Sequence, residues 1–409
     1  MPEFLSVNEV ASALKISPDT VRRWDKRGII KSHRSGQNHR LFNLEEVSRV
    51  ALQLEGKGSG NFTILKSPKN GFTCIDLFAG AGGTALGLEN AGFEHLMLSE
   101  WDKHACKTLK HNRPDWNVLE GDVSNADFRP FEGKVDLLEG GFPCQAFSYA
   151  GKKLGFEDTR GTLFYEFARA IQEASPKVAV GENVKGLLTH DDGRTLRTML
   201  DVLGSVKDRL GRRYFVQHRV LRSQYLDVPQ KRERLVLVAI REDVFRGEFF
   251  FPEENDYVVT LRDAIGDFPQ GPGSSYPARK REIMEMVPPG GYWRDLPLEI
   301  QKEYLAGSFL LGGGKTGMAR RLSWDEPSLT LTCAPAQKQT ERCHPSETRP
   351  LNVAEYARIQ TFPDDWQFPC SVAQAYKQIG NAVPVNLGFH IGKMVERILT
   401  FEKAPLRLP

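Results

Sequence analysis

The sequence lacks the features that define several common classes of protein. Its 409 residues contain no apolar run of about 18 residues, so no membrane-spanning helix is predicted. The N-terminal residues do not combine a charged stretch with an apolar one, so no secretion signal is predicted. The six cysteines form no Cys-x-x-Cys pair, and we expect reduced thiols and no metal. These absences favour a cytoplasmic protein.

The charge of the chain is small but unevenly distributed. The formal net charge is +3, yet residues 15–40 contain eight Lys or Arg against two Asp. Such a concentration indicates contact with a polyanion. A chain of this length also exceeds what one hydrophobic core usually supports, which predicts two or three domains.

The N-terminal residues have the pattern of two short helices. Ser6-Val7-Asn8-Glu9 is a capping box that predicts a helix through Leu14. Pro18 is well placed to begin a second helix that ends at Gly28. An apolar–polar–apolar stretch over 29–42 predicts a hairpin, and a third helix is expected through residue 54.

This segment resembles the winged helix-turn-helix of the MerR and excisionase group. The resemblance implies that the second helix enters a DNA major groove. Its basic side chains are the candidate DNA contacts: Arg22, Arg23, Lys26 and Arg27. A module that binds protein or has only a structural role, with a solvated basic face, is the alternative.

From residue 72 the sequence alternates between short apolar stretches and helical ones. Strands are predicted over 73–78, 95–100, 117–120, 135–139, 177–180, 215–221 and 235–240. Helices are predicted over 103–110, 163–174 and 194–210. This alternation predicts a doubly wound α/β fold with a mostly parallel sheet. The connection before the last strand contains a proline and no helical periodicity, so that strand is expected to be antiparallel.

A glycine-rich turn follows the first predicted strand, over residues 76–83. Glycines allow a sharp bend and a close approach of the backbone to a ligand. The candidate ligand contacts in this turn are Phe78, Gly80 and Gly82.

Acidic and aromatic side chains end the next two strands. Glu100 can accept hydrogen bonds from ribose hydroxyls, and Trp101 offers a face to adenine. Asp122, at the end of the third strand, can accept from an adenine amino group. Together with the turn, they predict a nucleoside-containing cofactor at the carboxyl edge of the sheet.

Reactive groups follow the later strands. Cys144 lies next to a proline after the fourth strand, where a nucleophile would be exposed. Glu182 ends the fifth strand, and Arg232 and Arg234 begin the last one. A thiol, a carboxyl and two guanidinium groups at one edge suit activation of an electron-poor ring.

Residues 72–240 and 349–400 resemble the bacterial DNA (cytosine-5)-methyltransferases. The motifs that carry the resemblance are GFPCQAFSYAGKKLGFEDTRGTLF, ENVKG, QKRER, RPLNVAEYARIQTFPDDW and QIGNAVPVN. The resemblance implies a Rossmann-like mixed sheet with a final antiparallel strand and S-adenosyl-L-methionine as cofactor. It also implies a restriction-modification setting, double-stranded DNA as substrate, a separate endonuclease and a monomer on its target.

The resemblance also implies roles for single residues. Cys144 would add to C6 of a flipped-out cytosine, and Glu182 would hold N3 and N4. Arg232 and Arg234 would orient the base, and Asn381 would lie beside the cofactor. A loop over 145–161 would close on DNA phosphates, with three candidate contacts: Ser148, Lys152 and Arg160.

The family pattern divides the chain into segments. Their expected bounds are 1–55 for the winged helix-turn-helix, 56–71 for a linker, 72–241 for the catalytic domain, 242–348 for target recognition, 349–375 for a hinge and 376–403 for the return to the catalytic domain. Two alternatives stay open: an RNA cytosine-5 methyltransferase, and a DNA-binding transcription regulator with a vestigial methylase part. The first segment is also a candidate for repressing the gene of this protein, or for adding affinity for the DNA target.

Overall fold

The computed structural model describes residues 4–14, 16–26, 30–34, 39–44, 47, 62–142, 163–247 and 249–403. The described strands are β1 Phe4–Ser6, β2 Ser32–Arg34, β3 Arg40–Asn43, β4 Thr73–Leu77, β5 Glu94–Glu100, β6 Val118–Glu120, β7 Leu137–Gly140, β8 Val178–Val184, β9 Tyr214–Arg222, β10 Gln230–Lys231, β11 Glu233–Arg241 and β12 Ser328–Leu329. The helices are α1 Val7–Ala13, α2 Pro18–Lys26, α3 Gly83–Asn90, α4 Lys103–Asn112, α5 Leu163–Ala174, α6 Arg194–Ser205, α7 Leu261–Ile265, α8 Ala278–Glu285, α9 Leu298–Leu305, α10 Val353–Ile359, α11 Val372–Asn381 and α12 Val385–Lys403.

The N-terminal part folds as the sequence predicts over its described residues. Ser6 and Glu9 form the capping box of α1, and α2 begins at Pro18. Strands β2 and β3 form an antiparallel hairpin, and β1 adds to the other side of β3. The predicted third helix lies mostly outside the described residues.

The central sheet has seven strands in the order β6-β5-β4-β7-β8-β11-β9. Strands β6, β5, β4, β7 and β8 are parallel, whereas β11 is antiparallel to both β8 and β9. The predicted reversal of the last strand is therefore confirmed. It brings the first residues of β11 to the edge where the parallel strands end, because Arg234 is level with Val184.

Helices cover both faces of this sheet. One face is packed by α5 and α6, with Phe167 and Met199 fully buried. On the other face α12 lies against α3, and Gly87 makes this contact close. A Cβ at Gly87 would lie 2.4 Å from the carbonyl oxygen of Val385. The C-terminal helix is thus fixed directly behind the glycine-rich turn.

One predicted helix is too long. Helix α6 ends at Ser205, whereas the sequence pattern favoured a helix to residue 210. The reason is a local turn, in which the Asp208 carboxylate accepts hydrogen bonds from the backbone N–H groups of Leu210 and Arg212. Side-chain acceptors of this kind compete with helical hydrogen bonds.

Residues 242–403 add two further clusters of buried side chains. One surrounds Tyr356 and Trp366, and the other surrounds Met284 and Trp293. Strand β12 pairs in parallel with β10, which joins this region to the start of β11. None of the described helices has the length and apolar character needed to cross a membrane.

Candidate active site

A cavity of about 820 Å³ opens at the carboxyl edge of the parallel strands. The turns after β4 and β5, the residues after β6 and the ends of β7 and β8 form one side. The start of β11, residues 330–333 and the end of α11 form the other. Candidate residues from distant parts of the sequence meet here: Phe78, Gly80, Glu100, Trp101, Asp122, Glu182, Arg232, Arg234 and Asn381.

The glycine-rich turn is shaped by its backbone. Phe78, Gly80 and Gly82 all have positive φ angles, of 63°, 55° and 86°. A Cβ at Gly82 would lie 2.8 Å from Leu109 and 3.1 Å from Trp366, so glycine is required there on steric grounds as well. The turn leads into α3 and leaves the backbone of residues 78–81 facing the cavity.

The acidic residues after β5 and β6 are held by backbone groups. The Glu100 carboxylate accepts hydrogen bonds from the N–H groups of Gly80, Trp101 and Asp102, at 2.7, 2.9 and 2.7 Å. Asp122 accepts from the N–H of Ser124, and this bond lowers the pKa of its carboxyl. Glu100 therefore fixes the glycine-rich turn in addition to facing the cavity.

Trp101 is the most exposed aromatic side chain at this edge. It is 79% exposed although it borders the cavity. An apolar ring left in this position is suited to stack on a planar ligand.

Glu182 and Arg234 form an ion pair inside the cavity. Arg234 Nε lies 2.6 Å from Glu182 Oε1, and each side chain is 11% exposed. Glu182 in β8 is the register partner of Val236 in β11, and Arg234 is two residues before Val236. Alternate residues of a strand share a face, so the side chains of Glu182 and Arg234 lie on the same face of these antiparallel strands. Burial lowers the pKa of the Arg234 guanidinium, and the charge of Glu182 opposes this effect.

Arg232 is more deeply buried than Arg234, at 2% exposure. Its guanidinium donates to the backbone carbonyls of Leu331, Gly380 and Asn381, at 3.5, 3.2 and 3.5 Å. Burial, with repulsion from Arg234, lowers its pKa to about 9. Arg232, which immediately precedes β11, is thereby connected to residue 331 and to the end of α11, and it also lines the cavity.

The motif that contains Cys144 begins at the end of β7. Phe142 packs against Phe164 and Phe167, and its carbonyl accepts a hydrogen bond from Asn183 at 2.8 Å. The next residues, 143–162, lie outside the described part of the chain. They include four predicted site residues: Cys144, Ser148, Lys152 and Arg160.

Asn381 ends α11, and its side chain contacts a residue that the sequence analysis missed. Its Oδ1 accepts a hydrogen bond from the Cys333 thiol at 3.1 Å, and both residues line the cavity. The preceding Leu-Thr-Leu-Thr segment pairs with β10 through Leu329. Its apolar–polar alternation is a signal from which this strand could have been predicted, but local sequence does not show where the strand pairs.

The predicted DNA contacts on α2 are in two environments. Arg22 is exposed and pairs with Asp19 at 2.5 Å. Arg23 contacts a residue just before β12, because its Nη2 lies 2.5 Å from the Glu326 carboxylate. The same carboxylate pairs with Lys231 in β10 at 2.5 Å. The Lys26 side chain and Arg27 lie outside the described residues.

Similarity to known proteins decides the family. A family model described as C-5 cytosine-specific DNA methylase matches residues 72–397, and a helix-turn-helix domain model matches residues 4–53. This chain belongs to the C-5 cytosine-specific DNA methylases. The expected methylase and helix-turn-helix resemblances are thus both confirmed, and such enzymes use S-adenosylmethionine as methyl donor.

Several relatives of this methylase are type II methyltransferases. The chain is 57% identical over 408 residues to type II methyltransferase M.Eco47II of Escherichia coli. This alignment covers 98% of this chain and 97% of the relative. It is 52% identical to M.PspPI of Psychrobacter sp. strain TA137, over 95% of each chain. The enzyme is therefore a DNA methyltransferase of the restriction-modification type.

A solved structure shares the fold of this methylase. It is described as a DNA modification methyltransferase encoded within an Escherichia coli prophage, with a TM-score of 0.58 and 23% identity. The alignment covers 80% of this chain and 99% of that one. Among the described residues of the methylase, no group of three or more His, Cys, Asp or Glu could hold a metal ion.

Proposed function

We propose that this methylase modifies C5 of a cytosine flipped out of duplex DNA, through a covalent bond to Cys144. The observation that supports this most strongly is the buried Glu182–Arg234 pair, because it lies beside the strand that leads into Cys144. C5 and C6 are inaccessible in a base stack, so the base must leave the duplex at a cost of about a few kcal/mol.

The cavity fits S-adenosylmethionine. Its volume suits a ligand of that size, and Trp101 offers an exposed ring at its border. Glu100 and Asp122 present carboxylate oxygens for hydroxyl and amino groups, while the turn at residues 78–81 allows close approach of the backbone. When bound, the cofactor supplies a methyl group on a positively charged sulfur.

The chain itself performs the remaining work on the base. Cys144, as thiolate, forms a bond to C6 and moves electron density to C5, which then takes the methyl group. Glu182, in its protonated form, holds the amidine edge of the base and gives its proton to N3, and it takes that proton back once C5 carries the methyl group, while Arg234 neutralises charge at the base carbonyl. Water removes the proton from C5, the bond between C6 and sulfur breaks, and the thiolate is restored.

Bisulfite sequencing of a methylation-free host that expresses the full chain tests this function. We expect cytosines to be protected in one short recurring DNA context, and unprotected in a host with the vector alone. Protection of RNA with none of DNA would favour an RNA methyltransferase. No protection in either nucleic acid, with soluble protein present, would favour the regulator with a vestigial methylase part.

We further propose that the N-terminal module binds an operator near the gene of this protein, and that a separate endonuclease shares the recognition site. Support comes from the match to a helix-turn-helix domain model and from the basic residues of α2, of which Arg22 is exposed on the surface. The enzyme is proposed to act on its target as a monomer.

Deletion of residues 1–60 is expected to abolish binding to a duplex of the upstream promoter while leaving site choice unchanged. The reason is that we propose target recognition by residues 242–348. Electrophoretic mobility shift with the promoter duplex, and bisulfite sequencing, measure the two properties separately. Arg129→Ala serves as a control, because Arg129 is exposed and lies outside both residues 1–60 and residues 242–348. Unchanged promoter binding after the deletion would contradict the operator proposal.

A further inference from the structure

Two buried carboxyl groups lie side by side behind the cavity. Asp76 in β4 and Glu139 in β7 are register partners in adjacent parallel strands, and each is 1% exposed. Outside this pair, no described residue donates a hydrogen bond to either oxygen of Asp76 or to Oε1 of Glu139. Two ionised carboxylates in such a place repel strongly, so one proton between them is expected.

The titratable groups around the pair are mainly acidic. Around the pair lie Cys74 on β4, His95 and Glu100 on β5, and Glu182 on β8. Glu89 on α3 lies near Cys74 and His95. Burial raises the pKa of Asp76 to about 7, against a hydrogen bond from Glu139. Burial and the charge of Asp76 raise the pKa of Glu139 well above its usual value.

The cations at this edge are engaged with other groups. Arg234 pairs with Glu182, and Arg232 donates to backbone carbonyls. The pair therefore has no protein cation to balance it among the described residues. Glu139 nevertheless lines the cavity, and Asp76 lies one residue before the end of β4, where the glycine-rich turn begins.

We propose that Asp76 and Glu139 share one proton, position the positively charged end of S-adenosylmethionine, and release part of that proton when the cofactor binds. The proposal rests on the cofactor assignment but not on the DNA chemistry. A positive charge beside a carboxyl pair favours its ionised form, so the pair gains negative charge and the proton passes to the buffer. Asp76 is thus a positioning residue that acts through Glu139, which lines the cavity.

Glu139→Gln removes the proton that Asp76 and Glu139 share while keeping the negative charge of the pair. In the variant, the amide group replaces the shared proton as donor to Asp76, so one negative charge stays in place. The variant therefore has one carboxyl fewer from which a proton can be released, although the shape and the hydrogen bond of the pair are kept. A purely structural role of Glu139 would leave proton release unaffected by this change.

Calorimetric titration of the full chain in two buffers of different ionisation heat measures the protons released. We expect wild type, at pH 6.5 to 8.5, to release roughly a few tenths of a proton more with S-adenosylmethionine than with S-adenosylhomocysteine, whose sulfur is neutral. The excess should be smaller in Glu139→Gln. The amino group that both ligands share titrates alike in both proteins and cancels in the comparison. In wild type, the ratio of the two affinities should also favour S-adenosylmethionine more as pH rises.

Asp136→Asn is the matched control. Asp136 immediately precedes β7 at the end remote from the cavity, and it pairs with Lys177 at 3.1 Å. This variant should keep the wild-type excess. If Glu139→Gln does not fold, Asp76→Asn tests the same pair, and wild type alone must still show the excess.

Equal proton counts for the two ligands in wild type would overturn the proposal, as would an undiminished excess in Glu139→Gln. Absence of any binding heat would overturn it together with the cofactor assignment. Normal proton release in a protein that fails to methylate DNA would support this proposal while contradicting the proposed function.

Discussion

Replacement of Cys144 by alanine is expected to abolish methyl transfer while leaving cofactor affinity within about twofold of wild type. Without the thiolate no bond forms at C6, so C5 does not become nucleophilic. We expect the turnover rate to fall by about three orders of magnitude or more. Transfer of a radiolabelled methyl group to duplex DNA measures turnover, and calorimetry measures cofactor affinity.

Cys370→Ala is the matched control, because it removes a half-buried thiol that does not line the cavity. It should keep wild-type turnover. Duplex DNA with 5-fluorocytosine adds a direct readout, since fluorine at C5 prevents the last elimination and traps the adduct. A denaturation-resistant complex should form with wild type and with Cys370→Ala. Turnover of Cys144→Ala within tenfold of wild type would contradict the covalent mechanism.

The central sheet was predictable because its local signals agree. Each parallel strand is a short apolar stretch, and a capping or turn residue follows it. The reversal of β11 was predictable from one feature, the proline-containing connection at Pro229, which is too irregular for a helical crossover. Since ligands bind where parallel strands end, these two inferences also placed Glu182 and Arg234 at one edge.

Contacts between distant segments were not predictable. The carboxylate of Glu326 contacts both Arg23 of α2, 303 residues earlier in the sequence, and Lys231 of β10, 95 residues earlier. The two-residue pairing of β10 with β12 is equally remote. Local patterns report which face of an element is buried, but they carry no information on which partner buries it.

The Asp76–Glu139 pair shows a different limit. Within each strand, a single acidic residue in an apolar stretch suggests only a strand end or a ligand contact. Its chemical character depends on a second acidic residue in the neighbouring strand at the same level. Register therefore determines the chemistry, and register follows from the fold as a whole.

Glu182→Gln is expected to reduce turnover by about 10²- to 10⁴-fold, because the amide cannot give a proton to N3 of the base. The amide oxygen can still accept from Arg234, whose Nε lies 2.6 Å from the carboxylate in wild type. The cost in stability should therefore be below the about 3–5 kcal/mol that loss of a partner in a buried ion pair causes. Single-turnover methyl transfer to duplex DNA measures the chemical step, and thermal unfolding measures stability.

Glu233→Gln is the matched control, because it changes a carboxyl one residue from Arg234 that points to solvent. Glu233 pairs with Lys185 at 2.9 Å, and its side chain is 41% exposed. Such an exposed pair contributes about 0–1 kcal/mol, so this variant should keep wild-type turnover and stability. If a folded Glu182→Gln variant methylated DNA within tenfold of wild type, proton transfer by Glu182 would be wrong. The ion pair with Arg234 would then serve only to hold the strand ends together.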